Sequence, residues 1–471
     1  MIAPGTRVHF IGIGGAGMSA IASVLISRGY PVSGSDLRES DATRRLRAMG
    51  AEIRIGHAAE HVGSGHVVVI SRAVPEENVE IRAALAQGLP VLHRAQMLAS
   101  LMEGMRGIAV VGTHGKTTTT SMTAIILEKA GRDPTVLIGG EVDDFGGNAR
   151  AGRGGDLIAE VDESDGSLLW ISPRVAVVTN LDATDHLDFY GSEARLEETF
   201  RRFLDRLPSD GFAVVCADSA SGRRLASSAR PRVVTYGLEE GAGYSARIVD
   251  MVGRRSVFEA VRGSTRLGPV TLGVPGPYNV QNALGAVAVA MELGVPFDLC
   301  ARALGAFRGV QRRFTVKGEI GGVLVVDDYA HNPTKVQALL QGARRSWPRA
   351  RIIAVFQPHR FTRTQTVGAK FARAFDAADD VIITEIYPAD ESPIPGVDAG
   401  IIVRAVSARR PVRSIPDAAQ VAAALEGDLR AGDLVLTIGA GDVWRVADDL
   451  VARLRRRAPS PDVQPVKKPD G

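Results

Sequence analysis

The feature that most constrains this chain is residues 108–120, which read IAVVGTHGKTTTT. An apolar, β-branched run leads into two glycines and a lysine, and a series of hydroxyl residues then opens a helical stretch. Glycines let backbone N–H groups turn toward phosphate oxygens, and a helix N-terminus adds about half a positive charge. The stretch therefore predicts a nucleoside triphosphate site on a strand–loop–helix unit.

Within this loop, we expect the lysine to reach the β- and γ-phosphates and the first hydroxyl residue to ligate Mg²⁺. The usual form of the loop has a further glycine where this chain has Val110, so the loop is a shortened variant. The alternative is a chance glycine turn before a helix. The candidate triphosphate-binding residues are Gly112, Thr113, His114, Gly115, Lys116, Thr117 and Thr118.

A second glycine-rich loop lies near the N-terminus, between a strand predicted at residues 7–13 and a helix predicted at residues 18–28. A strand over residues 31–36 follows and ends in an aspartate. This order is that of the dinucleotide fingerprint, in which a diphosphate docks at the helix N-terminus. An unoccupied turn of the same shape is the alternative. The candidate residues are Gly12, Gly14, Gly15, Gly17 and Asp36.

Length and composition set the class of protein. At roughly 150 residues per domain, the 471 residues suggest about three domains, and an apolar content of 45% is enough for full cores. A net charge of +3 implies no nucleic-acid partner. The two cysteines lie far apart, and no apolar stretch approaches the length of a membrane span. We therefore expect a protein of the reducing cytoplasm without membrane insertion.

Strands alternate with helical segments along most of the chain, which predicts an α/β fold with mostly parallel sheets between helices. Short runs split by glycine turns over residues 244–274 predict a small antiparallel insert. We expect a Rossmann-like N-terminal domain, a central phosphate-loop domain, a Rossmann-like C-terminal domain and a disordered tail, at residues 1–106, 107–311, 312–457 and 458–471.

Two polar clusters follow predicted strands of the central domain. Residues 160–165 place four carboxylates in six positions, beginning with Glu160, and residues 179–188 place His186 among three aspartates. Ligands bind at the carboxyl ends of parallel strands, and carboxylate oxygen suits Mg²⁺. The alternatives are a solvated acidic turn and a structural or solvated histidine.

Amide and arginine pairs lie farther along the chain. Asn279 and Asn282 fall on an alanine-rich helix, where an amide is able to read a base edge or simply to form the polar face of the helix. Arg312 and Arg313 lie at the predicted joint into the third domain. Arginines at a domain joint clamp phosphate when domains close, and an exposed pair is the alternative.

The third domain has polar clusters at two predicted strand ends, residues 327–333 and 357–363, which we expect to share a site. Gly439–Asp442 is a further glycine turn after the last predicted strand. The residues alone thus suit an ATP-driven enzyme that acts on a nucleotide-linked substrate.

These motifs resemble the Mur ligase family of peptidoglycan precursor synthesis, and they occur in the family's order over nearly the whole chain. The segments that carry the resemblance are residues 112–118, 160–165, 180–186, 278–282, 312–314, 327–331 and 357–360. The opening VHFIGIGGAGMS at residues 8–19, together with residues 70–73, is most similar to the branch of the family that adds the first amino acid.

The resemblance implies a ligase that uses ATP and Mg²⁺, with UDP-N-acetylmuramate and L-alanine as substrates. ATP would phosphorylate the muramoyl carboxylate, and the amine of alanine would attack the acyl phosphate and release phosphate. Domain closure would exclude water from that intermediate. The sequence does not decide between a monomer and a homodimer.

The resemblance also assigns roles to residues. It makes Lys116, His186 and Arg360 catalytic, and it places Thr117, Glu160 and His186 around the metal. The further ATP-binding residues that it implies are Asn282, Arg313, Asp328 and His331. Ser71 joins the glycine loop and Asp36 in the UDP-sugar site.

The chain departs from the family pattern at two places. Some relatives hold a second Mg²⁺ through a CO₂-modified lysine downstream of the metal histidine, and no lysine lies between His186 and Pro208. Position 72 is arginine, where related sequences usually have a small residue. The ligands of a second metal ion and the contacts of this loop are therefore open.

Three other functions compete with this interpretation. A recycling ligase that adds a whole murein peptide to the same sugar shares nearly every motif. An NAD-dependent oxidoreductase would use residues 12–36 but leaves the Lys116 loop without a role. A phosphate-loop regulator would bind ATP without forming an amide bond.

Overall fold

The computed structural model describes residues 2–63, 65–142, 145–182, 187–389 and 391–457, with the backbone alone at residues 187 and 188. His186 and the predicted tail at residues 458–471 lie outside the described residues. The chain forms two compact units, one of Met1–Asp250 with Arg255–Val310 and the other of Met251–Arg254 with Gln311–Gly471.

The first sheet has five parallel strands in the order β3-β2-β1-β4-β5. Its central strand β1 is apolar apart from His9 and is buried along its whole length, as expected for a strand covered on both faces. The strands are β1 Val8–Ile11, β2 Val32–Asp36, β3 Glu52–Ile55, β4 Val67–Ile70 and β5 Val91–His93. The helices are α1 Ala16–Ser27, α2 Asp41–Ala48, α3 Val79–Ala86 and α4 Arg94–Met102.

The second sheet has ten strands in the order β15-β14-β13-β12-β11-β10-β6-β9-β7-β8. The strands are β6 Arg106–Val111, β7 Thr135–Val142, β8 Gly147–Arg150, β9 Asp156–Glu160, β10 Val175–Val178, β11 Phe212–Cys216, β12 Arg232–Gly237, β13 Tyr244–Val252, β14 Arg255–Arg262 and β15 Thr265–Leu272. The helices are α5 Lys116–Lys129, α6 Leu187–Tyr190, α7 Glu193–Leu204, α8 Ala220–Ser228, α9 Pro277–Glu292 and α10 Phe297–Gly305.

Strand β6 lies in the middle of this sheet, parallel to β9 on one side and to β10 on the other. The three carboxyl ends therefore open at the same edge, where the triphosphate loop, the acidic turn and the segment after residue 178 meet. Apolar residues of the first two sheets belong to one buried core, and α1 packs against β7 and β8.

The insert predicted at residues 244–274 is antiparallel only in part. Strands β14 and β15 pair antiparallel, with Ser256 opposite Leu272. Strand β13 instead pairs parallel with β12, with Tyr236 opposite Tyr244. The insert thus continues the central sheet, a continuity that short alternating runs do not encode.

The third sheet lies in the second unit and has six strands in the order β16-β17-β21-β18-β19-β20. All its pairs are parallel except β16 with β17. The strands are β16 Thr315–Ile320, β17 Val323–Asp328, β18 Arg351–Phe356, β19 Asp380–Ile383, β20 Arg413–Ser414 and β21 Asp433–Ile438. The helices are α11 Pro333–Ser346, α12 Phe361–Val367, α13 Gly400–Ser407, α14 Ala418–Glu426 and α15 Trp444–Arg457.

Across the described ranges, no helix is both long and apolar enough to cross a membrane.

Candidate active site

The triphosphate loop requires glycine at both of its glycine positions. Gly112 has a φ of 121° and Gly115 a φ of 82°, values that side-chain-bearing residues rarely adopt. A Cβ at Gly112 would lie 2.4 Å from the Oγ1 of Thr179, and one at Gly115 would lie 2.3 Å from the Oδ1 of Asn282. The backbone of the loop is therefore held close to its neighbours, and helix α5 starts directly after it at Lys116.

The segment after β10 fixes the shape of this loop. Asn180 accepts from the backbone N–H of His114 at 3.0 Å and donates to the carbonyl of the same residue at 3.0 Å. Thr179 donates to that carbonyl at 2.5 Å, and the N–H of Asp182 donates to Thr113 Oγ1 at 2.9 Å. The first residues of the cluster predicted at 179–188 thus support the loop, while its histidine lies outside the described residues.

Lys116 lies folded back over its own loop. Its Nζ donates to the carbonyl of Gly112 at 2.6 Å and lies 2.8 Å from both carboxylate oxygens of Glu163. Burial by itself lowers the pKa of Lys116, but the surrounding carboxylates, Glu163 first among them, outweigh it and raise that pKa. The ammonium is therefore charged at neutral pH and is positioned at the loop.

Thr117 and Glu160 supply oxygen atoms beside the loop. The hydroxyl of Thr117 donates to Glu160 Oε1 at 3.2 Å, and the N–H of Gly139 donates to Oε2 at 2.7 Å. A hydroxyl and a carboxylate are hard oxygen donors, which Mg²⁺ prefers. Within the described part of the chain, no group of three or more acidic, histidine or cysteine side chains forms a complete metal site. The predicted third ligand, His186, lies outside the described residues.

The acidic turn after β9 is not simply solvated. The side chain of Glu163 is buried, and Tyr190 donates its hydroxyl to the carbonyl of Glu163. Asp162 pairs with Arg94 at 2.7 Å. Burial raises the pKa of Asp162, but the positive charges of Lys116 and Arg94 lower it to about 2. The turn is thus a charged network that contacts the triphosphate loop, with Glu163 buried and Asp162 paired with Arg94.

The two asparagines of helix α9 lie buried under the triphosphate loop. Asn282 accepts from the hydroxyl of Thr119 at 3.3 Å, and Asn279 donates to the carbonyl of Pro275 at 2.7 Å. Asn282 also lies against Gly115. In this structure the amide of Asn282 supports the loop, and its contact with a nucleotide base stays a prediction.

The N-terminal glycine loop is organised by Asp36. The carboxylate of Asp36 accepts from the N–H of Gly14 at 2.8 Å and would lie 2.9 Å from a Cβ at that position. Gly12 has a φ of 76°. Helix α1 begins just after the loop, with Gly15 as its N-cap and no acidic residue in its first turn. This end of the helix therefore suits an anion.

The loop after β4 carries Ser71, the predicted UDP-sugar contact, next to the unusual Arg72. The guanidinium of Arg72 lies 4.8 Å from the centre of the Phe189 ring, so it forms a cation–π contact with the central part of the unit. Sequence reasoning left the contacts of Arg72 open, and the structure supplies this one.

In the second unit, the end of β17 and the segment before β16 hold each other. Asp328 is buried and accepts from the N–H groups of Phe314 and Ala330, each at 2.8 Å. Burial raises its pKa, and the charge of Arg313 partly offsets this. Arg313 itself lies 5.2 Å from the ring centre of Tyr329. The predicted ATP-binding residues Arg313 and Asp328 are thus brought together.

Aromatic rings cluster at the ends of β17 and β18. His331 and His359 lie 6.0 Å apart by ring centres, and His359 stacks on Tyr387 at 5.8 Å. Burial lowers the pKa of His331 well below its usual range and, with Arg363 and Arg360, lowers that of His359 to about 4. Both rings are therefore neutral at neutral pH. The structure brings the two polar clusters together, and a shared site there stays a prediction.

Arg360 has a φ of 70°, and its N–H donates to the carbonyl of Tyr387 at 2.9 Å. Its guanidinium is half-exposed, 4.0 Å from Glu391. Sequence reasoning did not single out Tyr387, because a lone tyrosine after a strand carries no motif. The turn at Gly439–Asp442 also belongs here, since Gln357 donates to Asp442 at 2.8 Å.

Comparison with known proteins agrees with this geometry. Models of three Mur ligase domains match the chain: the family's catalytic domain at residues 7–106, its middle domain at residues 110–290 and its glutamate ligase domain at residues 312–441. The UDP-N-acetylmuramate–L-alanine ligase of Geobacter sp. (strain M21) is 49% identical over 451 residues, which are 95% of this chain and 98% of that protein.

Solved structures give the same result. The UDP-N-acetylmuramate-alanine ligase of Thermotoga maritima superposes with a TM-score of 0.82 at 30% identity, covering 96% of this chain and 99% of that one. A murein peptide ligase from Psychrobacter arcticus, at 24% identity, shares the fold with a TM-score of 0.69 over 96% of this chain and 99% of that one. The predicted three-domain α/β fold is thereby confirmed, and this chain belongs to the Mur ligase family.

Proposed function

We propose that this protein joins L-alanine to the carboxylate of UDP-N-acetylmuramate, with ATP converted to ADP and phosphate, in peptidoglycan precursor synthesis. The observation that supports this most is the full-length similarity to ligases named for that reaction. The enzyme class follows from the family, whose members are ATP-dependent ligases. An NAD-dependent oxidoreductase and a phosphate-loop regulator do not fit that family.

We assign ATP to the loop from Gly112 to Thr118. Lys116 would neutralise the charge that develops on the γ-phosphoryl group, because its ammonium is charged and already held at the loop. Thr117 and Glu160, with His186, would hold Mg²⁺, which when bound supplies further positive charge to the phosphates. The oxygen donors of the first two residues fit that ion.

We assign the diphosphate of UDP-N-acetylmuramate to the N-terminus of α1, at Gly12, Gly14, Gly15 and Gly17. Asp36 keeps this loop in shape through Gly14, and Ser71 lies at the end of the neighbouring strand β4. The two sites would belong to separate domains at residues 1–106 and 107–311, with a third domain at residues 312–457.

The reaction would proceed in two displacements. A carboxylate oxygen of the sugar attacks the γ-phosphorus and ADP leaves. The amine nitrogen of alanine then attacks the acyl carbon, phosphate leaves, and the amine loses its proton. We propose that Arg313, Asp328 and His331 serve the nucleotide and that Arg360 serves the amino-acid carboxylate, because its guanidinium is half-exposed.

Substrate specificity tests the proposal. The purified chain should release ADP only when UDP-N-acetylmuramate, ATP and Mg²⁺ are all present, and alanine should support the fastest release among single amino acids. The recycling ligase of the same fold is tested by offering the tripeptide in place of alanine. Faster release with the tripeptide, or release without the sugar nucleotide, would contradict the assignment.

A further inference from the structure

Arg94 contacts two functional regions at once. It is the first residue of α4, and its Nη2 lies 2.7 Å from Asp162 Oδ2 in the acidic turn. Its Nη1 lies 3.0 Å from the position that a Cβ on Gly17 would occupy. Gly17 is the second residue of α1 and the last glycine of the N-terminal glycine loop. A single guanidinium thus lies between that loop and the acidic turn.

The surroundings of Arg94 leave one side of the guanidinium for a ligand. Among the residues that the structure describes, Asp162 is its one hydrogen-bond partner. Its Nη1 side instead faces the first turn of α1, which carries no acidic side chain. Two positive features, the helix end and the guanidinium, therefore lie together there, while the carboxylate of this loop, Asp36, is already occupied by the N–H of Gly14. Such a place favours an anion.

On its other side, Arg94 contacts the turn that holds the triphosphate loop. Residues 160–163 bond to that loop through Glu160 on Thr117 and through Glu163 on Lys116. Asp162 lies between these two residues in sequence, so the Arg94 pair holds the middle of the turn. A shift of this carboxylate would move the groups that position Lys116.

We propose that Arg94 is a positioning residue that links the two substrates, with Nη1 on a diphosphate oxygen of the UDP-sugar and Nη2 on Asp162. Binding of the sugar nucleotide then fixes the acidic turn, and the turn holds Lys116 and Thr117 in place for ATP. Arginine suits this role because its planar group donates in two directions, whereas a lysine ammonium acts as a point charge. The inference rests on the proposed function, since it takes residues 12–17 as the diphosphate site.

The test compares Arg94→Lys with a matched control. Arg28→Lys is that control. Arg28 belongs to the same unit and donates to Thr135 at 3.4 Å, but it follows the last residue of α1, at the opposite end of the helix from the glycine loop. Calorimetry on the full chain would give the affinity for UDP-N-acetylmuramate and for a non-hydrolysable ATP analogue, each alone and in the presence of the other.

For Arg94→Lys we expect UDP-N-acetylmuramate to bind about tenfold more weakly, while the ATP analogue alone binds as in the wild type. The sugar nucleotide should tighten binding of the ATP analogue in the wild type and in Arg28→Lys but not in Arg94→Lys. Asp162→Asn should also lose this coupling but keep its affinity for the sugar nucleotide. If Arg94→Lys does not fold, the coupling measured in Asp162→Asn tests the proposal by itself.

The outcomes separate this inference from the proposed function. A wild type that forms no product from alanine and UDP-N-acetylmuramate contradicts the function itself. A wild type that turns over, together with wild-type affinities and coupling in Arg94→Lys, overturns the role of Arg94. Intact coupling in Asp162→Asn overturns the link through the acidic turn.

Discussion

The ammonium of Lys116 lies 2.8 Å from the carboxylate of Glu163, whose side chain is buried. Glu163 is one residue beyond the acid that contacts Arg94, so the pair joins the triphosphate loop to the turn after β9. Under the proposed assignment, the lysine would exchange part of this contact for phosphate oxygens when ATP binds. The pair therefore keeps Lys116 charged and holds its ammonium at the loop.

Replacing Lys116 by alanine should lower kcat by at least about a hundredfold, because the ammonium that neutralises the negative charge of the transferred phosphoryl group is lost. The affinity for UDP-N-acetylmuramate should change little, since its loop lies on another sheet. Steady-state ADP release and calorimetry with the sugar nucleotide measure the two effects. Loss of both affinities together would contradict the assignment of two sites.

Replacing Glu163 by glutamine should lower kcat by about tenfold, since Lys116 loses its buried counter-charge and its fixed position. Asp165→Asn is the matched control, because Asp165 lies in the same turn but accepts from the N–H of Ser167. ADP release at saturating substrates compares the two variants. Equal activity of both variants would show that position 163 does not hold the lysine.

Replacing Gly115 by alanine should abolish ATP binding, because the new methyl group would meet the Asn282 amide at 2.3 Å. The positive φ adds a penalty of about 1–2 kcal/mol. Gly131→Ala is the control: it has a φ of 74° but open space around its Cβ position. Thermal melts with and without ATP should show stabilisation by the nucleotide in Gly131→Ala and none in Gly115→Ala.

The triphosphate loop could be predicted from the sequence because its chemistry is local. Gly112, Gly115 and Lys116 lie within five positions. The positive φ angles at positions 112 and 115 are ones that glycine adopts readily. The same holds for Asp36 and Gly14, which one strand–helix–strand unit, β1 to β2, brings together.

Arg94 could not be predicted in this way. Of its neighbours, Gly17 lies in helix α1 and Asp162 lies in the turn after β9, and no spacing along the chain relates the three residues. Edge strands also escaped prediction: β16 has a glycine in its middle and β20 has two residues, so neither shows a clear period. Tertiary packing decided these features.

Replacing Asp328 by asparagine should destabilise the second unit, since its two carboxylate oxygens accept from two backbone N–H groups. An amide offers one oxygen, so one donor would lose its partner at a cost of about 1–3 kcal/mol. Asp376→Asn is the control, because Asp376 pairs with Arg409 at the surface. Denaturant unfolding of both variants measures the difference, and equal midpoints would contradict a structural role for Asp328.

Glu80 gives the N-terminal sheet a stability that depends on pH. Its buried carboxylate lies 2.7 Å from His9 Nε2 and 2.9 Å from both Ser35 Oγ and His57 Nδ1, with His61 at 3.7 Å. Burial raises the pKa of Glu80, but the hydrogen bonds from His9, Ser35 and His57 outweigh it, and the pKa is lowered.

A carboxyl group whose pKa is lowered by folding contributes its full stabilisation at pH values above its pKa in the unfolded chain, here 4.5. This contribution is lost as the pH falls through the pKa of the group in the folded protein. Glu80→Gln should therefore have a lower free energy of unfolding than the wild type at pH 7, by about 1–3 kcal/mol. This difference should narrow as the pH falls below the pKa of the group in the unfolded chain. Denaturant unfolding at pH 7 and at pH values below 4.5 measures it. A gap that stays constant with pH would show that the charge of Glu80 does not contribute to stability.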